Sequence, residues 1–109
     1  MAFAYKVLAQ SAPSATTATD IYTVGSGKQT VVSTITVANR GTSASSYRIA
    51  VRPAGATLAN QHYLAYDVAI AANDTTVLTI GVTLTATDVI TVYALSANLS
   101  FGIYGTEIT

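Results

Sequence analysis

Apolar and polar residues alternate with a period of two along most of this chain, and the helical period of about 3.6 is weak throughout. Tyr5, Val7 and Ala9 are predicted to share one face of a first strand, and Ile21–Val24 to form a short second one. Gly25-Ser26-Gly27 then reads as a hairpin turn. A third strand is predicted from Gln29 to Asn39, with Val31, Ile35 and Val37 inward, Ser33 as the polar exception on that face, and Val32, Thr34 and Thr36 opposite. Threonine there suits a half-buried pleated surface. The fourth strand puts Tyr47, Ile49 and Val51 on one face and Arg48, Ala50 and Arg52 on the other, and Pro53 ends it because proline cannot donate to a ladder. Ala54–Gln61 is a small-residue connection expected to cross between sheets. Leu64, Tyr66, Val68 and Ile70 alternate with Tyr63, Ala65, Asp67 and Ala69, then Asn73-Asp74 marks a turn and Leu78, Ile80 and Val82 follow. Ala86-Thr87-Asp88 is a further turn before a strand over Val89–Leu95. A last strand runs from Leu99 to Ile108, with Leu99, Phe101 and Ile103 on one face. About eight short strands, punctuated roughly every 8–12 residues, predict an all-β fold. The expected form is an antiparallel β-sandwich, jelly-roll-like, as a single domain over residues 1–109.

Composition adds an expectation about surfaces. Charged residues make up 9% of the chain, against about 25% in an ordinary domain. Half of the residues are hydrophobic and the net charge is zero, so little repulsion keeps copies apart. The pattern predicts a protein that works packed against other proteins. Five Lys and Arg spread from Lys6 to Arg52 do not make the basic footprint that nucleic acid needs. No stretch reads as a secretory signal or membrane span, so no membrane partner is expected. There is no cysteine, which leaves stability to packing and strand pairing.

No residue constellation points to catalysis, a cofactor or a metal. Gly25-Ser-Gly-Lys-Gln-Thr30 superficially resembles a phosphate-binding loop, but Tyr22 stands where the pattern needs glycine, Gln29 where it needs Ser or Thr, and a β-branched run follows instead of a helix. His62 is the only histidine, lies among Asn60, Gln61 and Tyr63, and reads first as a loop hydrogen-bonding group and second as a contact residue. Asp20, Asp67, Asp74, Asp88 and Glu107 are scattered singly, without a calcium-type cluster. The chain is therefore expected not to be an enzyme. The candidate interface residues are Tyr5, Arg48, Arg52, His62, Tyr63 and Tyr66. Arg48 and Arg52, two apart on one strand face with no acid nearby in sequence, are expected to reach a neighbouring subunit's carboxylate or carbonyl. Tyr63 and Tyr66, with His62, are the candidates for a sugar-stacking platform, against the more usual place of tyrosine at interfaces. The first and last strands, carrying only Lys6 and Glu107, are expected to be weakly protected edges that pair across subunits.

Several segments carry a family resemblance. They are Ala4–Gln10 (AYKVLAQ), Asp20–Val24 (DIYTV), Thr30–Gly41 (TVVSTITVANRG) and Tyr47–Gly55 (YRIAVRPAG), joined by Ala59–Tyr63, Ala72–Thr76 and Gly105–Thr109. Together they resemble a family of small virion structural proteins of tailed bacteriophages, of the type found in aquatic and cyanobacterial phages. Members usually carry proline where Gly25 stands. The resemblance implies a non-enzymatic virion component, made in the host cytoplasm. It would be an accessory of the tail, baseplate or fibre, or alternatively a capsid decoration or cement protein. The implied partners are other phage structural proteins and further copies of the chain, with a trimer as the first expectation. A glycan- or receptor-binding module is a further alternative, with a host-surface glycan as its partner.

Overall fold

The computed structural model describes residues 2–109. The alternation is realised as β1 (Phe3–Ser11), β2 (Thr19–Thr23), β3 (Gln29–Asn39), β4 (Ser45–Arg52), β5 (Tyr63–Ile70), β6 (Thr75–Thr85), β7 (Val89–Ala94) and β8 (Leu99–Ile108). Two antiparallel four-stranded sheets face each other, one in the order β1-β8-β3-β6 and the other β2-β7-β4-β5. That interleaving of eight strands is the strand order of a jelly roll, as the sequence predicts. No helix among the described residues is long and apolar enough to cross a membrane.

The core lies between the sheets. The first sheet contributes Val32, Ile35, Val37, Leu84, Leu99, Phe101 and Ile103, and the second Tyr47, Ile49, Ile70, Ile90, Val92 and Ala94. Tyr47 and Phe101 join the two layers edge to face, ring centres 6.4 Å apart. At one end of the core the Tyr22 hydroxyl of β2 shares a 2.8 Å hydrogen bond with the buried Thr30 hydroxyl of β3.

Bulges change the predicted phase of three strands; in β5 the extra residues against β4 bring Tyr63 and Tyr66, expected on opposite faces, onto one outer face. In β3 the register shifts between Val32 and Thr34, so Thr30 and Val32 face inward before Ser33, and Ile35, Val37 and Asn39 after it. Val31 therefore faces outward, and Ser33 is the bulged residue facing β8 rather than a polar member of the inner face. In β1 a bulge at Leu8 separates Tyr5 and Val7, which face outward, from Ala9, which opposes the buried Ile103. One extra residue inverts the side-chain alternation beyond it.

Connectivity corrects three further expectations. The Gly25–Gly27 turn forms, with Gly27 at φ 73° and the Lys28 amide donating to the Gly25 carbonyl at 3.2 Å. It is not a hairpin, because it joins strands of different sheets. The Pro53–His62 connection does not cross between sheets, since β4 pairs directly with β5. It is folded back by Arg52, whose guanidinium donates to the Gly55 and Ala56 carbonyls at 3.0 and 2.9 Å. Finally, β8 is an inner strand between β1 and β3, so the outer strands of its sheet are β1 and β6.

Candidate interaction surfaces

Directly opposed residues of an antiparallel pair lie on one face of the sheet. The registers therefore assign the outer face of the first sheet. β1 gives it Phe3, Tyr5 and Val7; β8 gives Tyr104, Thr106 and Ile108; β3 gives Val31, Thr34 and Thr36; β6 gives Val77, Thr79 and Thr83. No Lys, Arg, His, Asp or Glu of these four strands stands on this face among the described residues. Large apolar side chains are nonetheless open to solvent on it: Phe3 is 58% exposed, Tyr5 84%, Val7 52% and Val77 58%. Gly102, whose Cβ would collide with Tyr104 and Thr36, leaves a shallow depression of about 470 Å³ there.

The two charges on the first sheet's strands are turned to its other side and used internally. Lys6 and Lys28 both donate to one oxygen of Glu107, at 3.1 and 3.4 Å. The hydrogen bond from Lys6, then that from Lys28, holds the Glu107 carboxyl below its ordinary value of 4.5.

The outer face of the second sheet is different: aromatic, and crossed by ion pairs. Arg48 of β4 stands opposite Tyr93 of β7, and its guanidinium carbon lies 4.3 Å from the ring centres of both Tyr93 and Tyr66. Its Nε donates to Asp67 Oδ1 at 2.6 Å, and that bond raises the arginine pKa. Asp67 reaches this position because it sits at φ 51° where β5 bulges against β4. Tyr63 meets Tyr66 edge to face at 4.8 Å. A cleft of about 180 Å³ opens between Tyr63, Leu58, Arg48 and Tyr93, and a second depression of about 390 Å³ lies beside Asn60, Tyr63 and Tyr66.

Of the six candidate interface residues, Arg48, Tyr63 and Tyr66 come together here, with His62 at the foot of β5. Tyr5 lies on the other sheet. Tyr93 is the member that sequence reasoning missed. It stands in an almost wholly apolar strand, and only the β4–β7 register places it against Arg48. The expectation that Arg48 and Arg52 reach another subunit's carboxylate is corrected, for each finds an acid of its own chain. Arg52 Nη2 donates to Asp20 Oδ2 at 2.8 Å and its Nε to Thr91 Oγ1 at 3.0 Å, while Thr91 donates to Asp20 Oδ1 at 2.7 Å. With the two carbonyl bonds of the Pro53–Ala56 turn, this guanidinium uses four of its five N–H donors and ties β2, β4 and β7 together. Sequence distance concealed both acids, because Asp67 lies 19 residues from Arg48 and Asp20 32 from Arg52. The first reading of His62 holds: its Nδ1 accepts the Ala59 amide at 3.0 Å and closes the turn that starts β5.

Tyr63 and Tyr66 stand nearly perpendicular, and Arg48 occupies a face of Tyr66. They do not make a flat two-ring platform. Among the described residues no group of three or more His, Cys, Asp or Glu side chains is placed to hold a metal ion. Comparison with protein-family models, curated proteins and solved structures returned no match to this chain.

Proposed function

We propose that this protein is a non-enzymatic structural component of a phage particle, an accessory of the tail, baseplate or fibre that assembles through uncharged sheet surface. The observation that carries this reading is the outer face of the first sheet. Four strands present side chains there without one charge, and Phe3, Tyr5, Val7 and Val77 are open to water. Large apolar side chains left open on a charge-free sheet face mark interaction surface in soluble proteins. Burying it against a neighbour desolvates no ion, so the penalty that weakens charged interfaces does not arise. The sequence resemblance supplies the setting. The jelly roll is compatible with it by analogy alone, since the same fold serves capsid and lectin domains.

A second reading is supported by the aromatic cluster on the opposite face. Tyr63, Tyr66 and Tyr93 around Arg48 offer ring edges and a guanidinium beside open depressions, a chemistry that suits a glycan or receptor group. Titration with host-surface glycans at millimolar concentration, followed by tyrosine fluorescence and NMR shifts, tests it. Unchanged spectra reject the glycan role.

The test of the main reading is gold-labelled antibody on purified virions viewed by electron microscopy. Label at the tail or its tip supports the proposal. Label spread over the head moves the protein to a capsid decoration or cement role, and virions without label reject a particle component altogether.

A further inference from the structure

We propose that the free edge of β6 is a self-association surface, pairing antiparallel with β6 of a second copy about a two-fold axis through Ile80. The inference rests on the assembly reading above and deepens it by naming the strand, the register and the occupant.

The four outer strands are not equally open. β1 carries Lys6, turned to the inner side, and the bulge at Leu8. β2 is five residues long, carries Asp20 and is irregular at Ile21. β5 is bent around Asp67 at φ 51°. Short length, inward charges and bulges are the devices that blunt edges. β6 runs for eleven residues, Thr75–Thr85, without charge or proline. Its one bulge, where Ile80 and Gly81 stand opposite Ser33 of β3, leaves the inward–outward alternation of the strand unbroken from Thr75 to Thr85.

The strand is also complementary to itself. Centred on Ile80, antiparallel pairing sets Val77 against Thr83 and Thr79 against Gly81 on the outer face; it stops short of Thr75 and Thr85, whose amides donate to Asp74 Oδ1 and Asp88 Oδ2. On the inner face Leu78 meets Val82, Thr76 meets Leu84, and Ile80 meets its own counterpart. A two-fold axis brings the same patch of both copies together, and any charge near it would meet a like charge. This strand has none.

Gly81 fits the same pairing. A glycine inside a strand costs roughly 0.5–1 kcal/mol relative to alanine. Neither conformation nor crowding requires it, since its φ is not in the left-handed region and a Cβ would meet no atom within 4 Å; the bulge opposite Ser33 is the local feature it serves. Strand glycines also mark places where another backbone approaches closely. In the proposed register Gly81 faces Thr79 of the second copy, beside the axis.

The footprint sets the strength. The nine residues from Thr76 to Leu84 at about 3.3 Å each, across a sheet about 10 Å thick, give roughly 300 Å² per partner. That is under half of the roughly 800 Å² of a standard interface, so the pair is a concentration-dependent dimer. It closes at two copies, because the joined sheet ends on β1 at both sides. This geometry is two-fold, not the three-fold assembly first expected.

Sedimentation velocity of the full chain over a concentration series tests it. The wild-type protein is expected to move from monomer to dimer. Thr79→Lys and Thr79→Glu are each expected to weaken the dimer by roughly tenfold, and an equimolar mixture of the two to restore it. Thr36→Lys, on the same face but on the inner strand β3, is the control and leaves the dimer intact. The cysteine-free background allows a second test that does not depend on the folding of charged variants. Mixed Val77→Cys and Thr83→Cys chains are expected to form a disulfide-linked dimer, and Val77→Cys chains alone are not. A wild type that stays monomeric at its highest soluble concentration, a trimer, a dimer indifferent to Thr79→Lys, or cross-links in Val77→Cys alone would overturn the inference. A monomeric protein that still labels virions rejects the edge and keeps the particle role; a β6 dimer absent from virions does the reverse.

Discussion

The Tyr47 ring fills the centre of the core, 1% exposed, while its hydroxyl has no hydrogen-bond partner. Burial pushes the phenol pKa above its ordinary 10.0, and the Thr76 hydroxyl, nearby but outside hydrogen-bond geometry, offsets this only in part. An orphaned buried hydroxyl costs about 1–3 kcal/mol in desolvation. Tyr47→Phe keeps the ring contacts and removes that cost, so urea unfolding is expected to show unchanged stability or a gain of about 1 kcal/mol. Asn39 is the opposite case. It is buried, yet its amide donates to the Ser43 and Ala71 carbonyls at 2.9 and 3.2 Å and its oxygen accepts the Gly41 amide at 2.9 Å. Asn39→Ala leaves those loop groups unpaired and is expected to cost about 2 kcal/mol in the same assay.

At the scale of strands, the β3 bulge makes a sharp distinction between adjacent valines. Val32 is wholly buried and Val31 half-buried on the outer face. Val32→Ala is expected to lower stability by about 2 kcal/mol and Val31→Ala by less than about 0.5 kcal/mol. Equal losses would place the bulge elsewhere. The Lys6–Glu107–Lys28 group joins β1, β8 and the start of β3. Because the folded Glu107 pKa lies below 4.5, its contribution is complete above that pH and is lost as pH falls through the lowered value. Glu107→Gln is expected to flatten the acid limb of a Tm-against-pH curve and to leave its shape near neutrality unchanged.

For the whole molecule, the sandwich separates two chemistries. One outer face is uncharged and open, and the other carries the Arg48–Asp67 and Arg52–Asp20 pairs among tyrosines. Chain composition alone suggests evenly sparse charge. The structure concentrates what charge there is, and the four strands of the first sheet put none on their outer face, which Arg40 reaches from the loop after β3 at its Ser100 margin. Replacing outward Thr106, on the inner strand β8 between Tyr5 and Val31, with Glu is expected to leave Tm within about 2 °C while reducing incorporation into particles, read by quantitative blotting of purified virions. Full incorporation of a folded Thr106→Glu variant would remove this face from the assembly.

Period-two alternation, turn residues and the absence of any helical stripe determined the fold class and nearly every strand, because each depends on neighbours along the chain. The β6 pattern and the end of β4 at Pro53 were equally legible, as was the local role of His62. Tertiary structure decided what depends on partners distant in sequence. Bulges at Leu8 and Ser33 reset which side chains face inward, since the alternation alone does not show where an extra residue enters a ladder. Asp20 and Asp67 came to Arg52 and Arg48 only through the pairing of β2, β4, β5 and β7. The order β1-β8-β3-β6 made β8 an inner strand and left β6 at the edge, and no local pattern records which strand of a sheet is last.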